Sequence, residues 1–172
     1  MRIEPARLAD LDRVVDLWVA LAAEQRDHGA HLTAEPNRSV LRETLAQRVV
    51  DHTCLVARDD HAASAGKSPA EEPPIVGFVA FALERDGLDR DVDRGVVENL
   101  YVVPECRGQG IGGELVTAAE DALTAAGADR VALEVMAAND AARRFYERQG
   151  YGPHRVTYER PTGDGKDTKE GG

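Results

Sequence analysis

The apolar positions divide the chain into runs of two different periods. Leu11, Val14, Val15, Trp18, Leu21 and Ala22 recur at helical spacing within 8–26, with Asp10 placed to cap the start. Val40, Leu41, Leu45, Val49 and Val50 mark a second amphipathic helix over 39–50. Short, dense apolar runs bounded by turn residues read as strands over 1–6, 53–58, 75–83, 96–103 and 131–136. Further helices are expected over 111–126, closed by Gly127, and over 141–149, closed by Gly150. Residues 151–160 read as a final strand or hairpin arm.

Between these runs lie segments of a different character. Residues 59–74, DDHAASAGKSPAEEPP, are small, polar and proline-terminated, which predicts a flexible loop between two strands rather than a domain linker. The Gly- and charge-rich residues 161–172 predict a disordered tail. A single α/β domain over 1–160 is therefore expected, in keeping with a chain of 172 residues.

Composition narrows the function classes. The formal charge of −10 repels phosphate at long range and argues against a general nucleic-acid binder or a protein of anionic membrane surfaces. Only Lys67, Lys166 and Lys169 are lysines, against eighteen arginines. An acidic, lysine-poor surface fits salt adaptation, and the same bias follows from a GC-rich genome; both readings stay open. Cys54 and Cys106 form no C-x-x-C pair, no apolar leader precedes Glu4, Asp10 and Asp12, and no apolar run nears the roughly 20 residues of a membrane span. A cytoplasmic protein is the expectation. His28, His31, His52, His61 and His154 show no metal-ligand spacing, and no metal is expected.

The densest chemical signal is Glu98-Asn-Leu-Tyr-Val-Val-Pro-Glu-Cys-Arg107-Gly108-Gln109-Gly110-Ile111-Gly112-Gly113. A strand runs through Pro104 into a glycine-rich turn and then a helix. Successive N–H groups beside a helix N-terminus, unobstructed by Cβ atoms, can cradle a pyrophosphate. Gly108, Gly110 and Gly113 also satisfy G-x-G-x-x-G, with Glu134 near the place of a ribose-binding acid. A dinucleotide fold is disfavoured because the turn does not directly follow the strand and only 59 residues follow Gly113. No Gly-Lys-Ser/Thr follows the glycines, which excludes a Walker A loop.

Written as Arg107-x-x-Gly110-x-Gly112, the turn resembles the acetyl-CoA pyrophosphate loop of the GCN5-related N-acetyltransferase (GNAT) family. The later block Asn139-Asp-Ala-Ala-Arg-Arg-Phe-Tyr146-Glu-Arg-Gln-Gly150-Tyr151 resembles that family's N-x-x-A-x-x-F-Y-x-x-x-G-F/Y motif. The likeness is strongest over 96–151. It implies a mostly antiparallel, splayed sheet flanked by helices, with the Ile111 and Ala141 helices packed on the sheet.

The resemblance further implies that the backbone of Leu100, Tyr101 and Val102 pairs with the pantetheine arm, where the Val96 and Val131 strands part. Arg107, Gly108, Gln109, Gly110, Ile111, Gly112 and Gly113 would hold the pyrophosphate. Asn139 would touch the cofactor near its pantetheine end, and Tyr146 would stand beside the sulfur as the acid. A phenol near 10 can protonate a thiolate near 8.5 at a cost of about 2 kcal/mol. The base is open between two residues. Strand alternation places Glu98 on the face of Leu100 and Val102, and Glu134 matches the base of the ribosomal-protein N-terminal acetyltransferase branch. An ammonium acceptor starts about 5 to 8 kcal/mol uphill of an ordinary carboxylate, so a water relay or a raised pKa is needed. The expected reaction is acetyl transfer from acetyl-CoA to a primary amine, either a protein N-terminus or a small amine. A homodimer is compatible with it, and a non-catalytic acyl-CoA sensor is the alternative.

Overall fold

Alternation along the central strands decides how the molecule is layered. A computed structural model describes residues 1–60, 72–84 and 91–162. Its elements are β1 (Arg2–Pro5), α1 (Leu11–Asp27), α2 (Arg38–Val50), β2 (Cys54–Arg58), β3 (Ile75–Leu83), β4 (Arg94–Val102), α3 (Ile111–Ala125), β5 (Arg130–Leu133) and α4 (Asp140–Arg148). The strands form one sheet in the order β1-β2-β3-β4-β5, antiparallel except for the parallel pair β4–β5.

Each face of the sheet carries its own core. Cys54, Val56, Phe78, Ala80 and Tyr101 point to one side and pack with Val14, Trp18 and Ala22 of α1 and Leu45 and Val49 of α2. Leu55, Ala57, Val79, Phe81, Val97 and Val102 point to the other and pack with Ile111, Leu115, Ala119 and Leu123 of α3. Both strand faces are buried, which is why β2 and β3 read as continuous apolar runs rather than alternating ones.

One register break has consequences for the site. Ala80 pairs with Asn99, but Phe81 pairs with Val97, so Glu98 is the extra residue of a β-bulge. A bulge leaves that residue unpaired and bends its strand. On the other side of β4, pairing with β5 covers only Arg94–Val97 and ends at Leu133. The strands therefore part where the bulge begins, and β4 from Glu98 to Val102 has no strand beside it on that edge among the described residues.

Four expectations need correction. The strand expected over 131–136 stops at Leu133, for the reason just given. Residues 151–160 form no strand: no ladder partner reaches them, and Val156 and Tyr158 are exposed. The helix expected to lie on the sheet, α4, has no buried residue and leans instead on α3, with Phe145 at Gly112 and Gln149 at Gly113. Asp10 makes no side-chain cap to α1. It is spent on a buried network in which Arg58 donates to Asp10 at 2.6 Å and to Glu4 at 2.5 Å, while the Arg7 amide donates to Asp10 at 2.9 Å. Most of the loop expected over 59–74 and nearly all of the tail expected over 161–172 lie outside the described residues.

Candidate active site

The glycine-rich turn follows directly from the end of β4. Pro104–Cys106 make a single tight turn closed by the amides of Cys106 and Arg107. Gly108 and Gly110 then adopt φ of +74° and +86°, a region that costs an L-residue about 1–2 kcal/mol, and a Cβ on either would meet nothing within 4 Å. The chain is thereby turned so that α3 starts at Ile111. Among the described residues, the N–H groups of Gly108 through Gly113 make no hydrogen bond; the next amide, Glu114, is the first to find a carbonyl, at Gly110. Six successive free donors at a helix N-terminus, open to solvent at Gly108–Gly110, make a backbone cradle of the kind that can receive an anion. Gly112 and Gly113 face the α4 end: a Cβ on Gly112 would stand at ordinary contact, 3.4 Å from Phe145, and one on Gly113 would press on the flexible Gln149 side chain at 3.2 Å.

Arg107 is committed to the protein itself. Its Nε donates to the Val102 carbonyl at 2.8 Å, and its Nη2 donates to both Glu24 oxygens at 2.9 Å. The guanidinium also lies 5.2 Å from the centre of the Tyr101 ring, and the Tyr101 hydroxyl donates to Glu24 at 3.0 Å. Burial and the Glu24 contact push the Tyr101 phenol up. Arg107 and Tyr101 thus brace the cradle against α1 across the end of the sheet. Leu100 packs in the α3-side core and Gln109 is exposed.

Tyr146 lies half-buried on α4, its ring edge-on to Phe145 at 4.9 Å and to Tyr151 at 5.8 Å between centroids. Desolvation pushes its phenol up to about 12. Tyr151 anchors this end of α4 by donating to Glu120 of α3 at 2.5 Å. Asn139 caps α4: its Oδ1 accepts from the Ala142 amide at 3.0 Å. The aromatic packing and the cap are structural jobs, and they hold both residues rigidly in place.

The two glutamates differ. The bulge turns Glu98 away from the face of Leu100 and Val102, which corrects the alternation argument, and directs it toward α2. There Arg48 forks it, Nε to Oε2 at 2.8 Å and Nη2 to Oε1 at 2.6 Å. That contact raises the Arg48 pKa against the opposing cost of its burial. Glu134 stands exposed just beyond β5. Neither Arg48 nor Glu24 was singled out by sequence reasoning. Each is an ordinary charge of an amphipathic helix, and its partner lies 50 residues away for Arg48 and 83 for Glu24, so no local pattern marks them. Among the described residues there is no group of three His, Cys, Asp or Glu side chains able to hold a metal ion, and no helix is long and apolar enough to cross a membrane.

Comparison with known proteins agrees with this architecture. The sequence model of the acetyltransferase (GNAT) family matches residues 17–151. A curated protein, N-alpha-acetyltransferase 30 of Schizosaccharomyces pombe, is 40% identical over 65 residues, which is 38% of this chain and 43% of that protein, so the match spans less than half of the relative. The crystal structure of a GCN5-related N-acetyltransferase from Ralstonia eutropha superposes with a TM-score of 0.69 at 21% identity, covering 94% of this chain and 99% of the other. An aminoglycoside antibiotic 6'-N-acetyltransferase from Acinetobacter haemolyticus gives 0.64 at 18% identity over 95% and 100%. At these identities the structural matches speak to the fold.

Proposed function

Because the chain belongs to the acetyltransferase (GNAT) family, we propose that it transfers acetyl from acetyl-CoA to a primary amine, a peptide N-terminus or a small amine. The observation that carries this reading is the run of free N–H groups from Gly108 to Gly113 beside the unpaired edge of β4. A polyanionic pyrophosphate fits those donors, and the open space over Gly108 and Gly110 accommodates it. Acetyl-CoA supplies there a thioester already activated for attack by an amine.

In this reading the residues act as follows. The amides from Gly108 to Gly113 bind the phosphates, and the brace of Arg107 on Glu24 keeps their turn in register with α1. The free edge of β4 between Glu98 and Val102 receives the extended arm and offers an amide to the carbonyl oxygen as charge develops on it. Tyr146 Oη holds the proton that the departing sulfur takes up; a phenol at about 12 keeps that proton through physiological pH. Passing it to a thiolate near 8.5 costs about 5 kcal/mol rather than the roughly 2 kcal/mol expected of an ordinary phenol. The C–S bond breaks as the C–N bond forms, and the proton lost by the ammonium passes to Glu98 or Glu134, directly or through water. Titration calorimetry with acetyl-CoA beside a thiol-release assay on an amine panel tests the proposal. Micromolar binding with release on at least one amine supports it; binding without release on any amine points to an acyl-CoA sensor.

A further inference from the structure

The Arg48–Glu98 pair does not close over itself. It lines an open groove of about 330 Å³ on the α2 side of the sheet, together with Ala82, Leu83, Glu84 and Val96. Its volume is at the lower end of small-molecule sites, and it is open to solvent rather than enclosing. Ala82 and Val96 face each other across β3 and β4 and make an apolar floor. Glu84 is forked by Arg94 at 2.6 Å and 2.6 Å, so its charge is already answered. Glu98 is shared between this groove and the free edge of β4, because the bulge sets it where β5 departs.

We propose that the groove is the acceptor subsite for an amine that carries a carboxylate a few bonds from its nitrogen, the ammonium on Glu98 and the carboxylate on Arg48. This rests on the acetyl-transfer reading and names the acceptor class for it. An acceptor of opposite paired charges exchanges with the existing ion pair and leaves each side chain with a partner. A simple amine or a diamine drawn to Glu98 meets the Arg48 guanidinium beside it and gives that cation nothing in return. Arg48 therefore acts as a specificity residue that selects for the carboxylate and against polycations, in a protein whose net charge of −10 would otherwise favour them.

A free amino acid and a peptide beginning with aspartate share this chemistry, and matched probes separate them. Thiol release is measured with acetyl-CoA on leucine, leucinamide, 3-methylbutylamine and putrescine, and on a capped-end tripeptide beginning with Asp or with Asn. We expect the acid of one matched pair, leucine or the Asp peptide, to exceed its neutral counterpart by about 10- to 100-fold in kcat/KM, as loss of a charge-assisted bond implies. The pair that responds identifies the source. Arg48→Gln should collapse that ratio and Arg48→Lys should keep part of it; because the ratio is internal to each variant, altered folding yield does not move it. Equal rates within both pairs, a preference for putrescine, or a ratio that survives Arg48→Gln overturns the subsite. If no amine releases thiol, calorimetry on the CoA-loaded protein decides: carboxylate-dependent binding supports the subsite while transfer falls, and no binding overturns both.

Discussion

The two faces of the sheet are built on different principles. On the α3 face the cradle is backbone, made by consecutive residues from Gly108 to Gly113, and distant residues enter only to hold its turn, through Arg107 on Glu24. On the α1 and α2 face the proposed acceptor subsite is made of side chains, Arg48 with Glu98, drawn from elements 50 residues apart in sequence. A backbone site can be written in a short motif because glycine and a helix start suffice. A side-chain site needs the sheet to form first, and it can therefore vary without disturbing the cradle.

The largest effect that would break this contrast is expected at Tyr146, which stands on the α4 helix packed beside the cradle. Tyr146→Phe should lower kcat about 100-fold or more while acetyl-CoA affinity by calorimetry stays within about twofold. With the phenol up at about 12, the wild-type rate should show no alkaline decline from this group below about pH 10. Equal activity of the variant would remove the phenol from the acid role.

Next is the buried network on the opposite face, where Arg58 and Asp10 are 3% and 6% exposed. Arg58→Ala leaves Asp10 with only its Arg7 contacts and Glu4 with only Arg2, and should cost about 2–3 kcal/mol in urea denaturation. A loss below about 1 kcal/mol would mean the network is solvated in solution. A smaller, cofactor-specific effect is expected at Gly110. Gly110→Ala must hold φ of +86° with a Cβ and should raise the acetyl-CoA KM about tenfold with kcat nearly kept. If KM is unmoved, the cradle does not bind the cofactor.

The mildest effect is on pH. Burial opposes the Asp10 carboxylate, but Arg58 and the Arg7 amide outweigh it and hold the group below its usual 3.8. A lowered native pKa means the stabilisation is present above the unfolded value and is lost as pH falls through the native one. Stability should therefore decline from about pH 4 downward, and Asp10→Asn should flatten that limb of the curve.

Much of the fold was legible because its signals are local. The strand expected over 75–83 is β3 itself, and α1, α2 and α3 fall within a few residues of their apolar periodicity. Trp18 is core, as its place on the helix face implied. The misses lie where partners decide. Residues 151–160 have strand-like composition, yet strand formation needs a neighbouring edge, and none reaches them. Glu98 was assigned to the wrong face because alternation assumes an unbroken ladder, and a single inserted residue reverses every side chain beyond it. The Arg107 side chain, expected to hold phosphate, is paired with Glu24, 83 residues away, a partner that no local pattern marks.

The amino-acid sequence by itself determined the periodicities, the glycine turn and the family to which these belong. All of these depend on interactions within a few residues. Only the tertiary structure decided where β4 and β5 part, which face Glu98 presents, and which arginine answers which carboxylate. Those choices depend on strand register and on pairings between groups that the chain brings together only once both cores are closed.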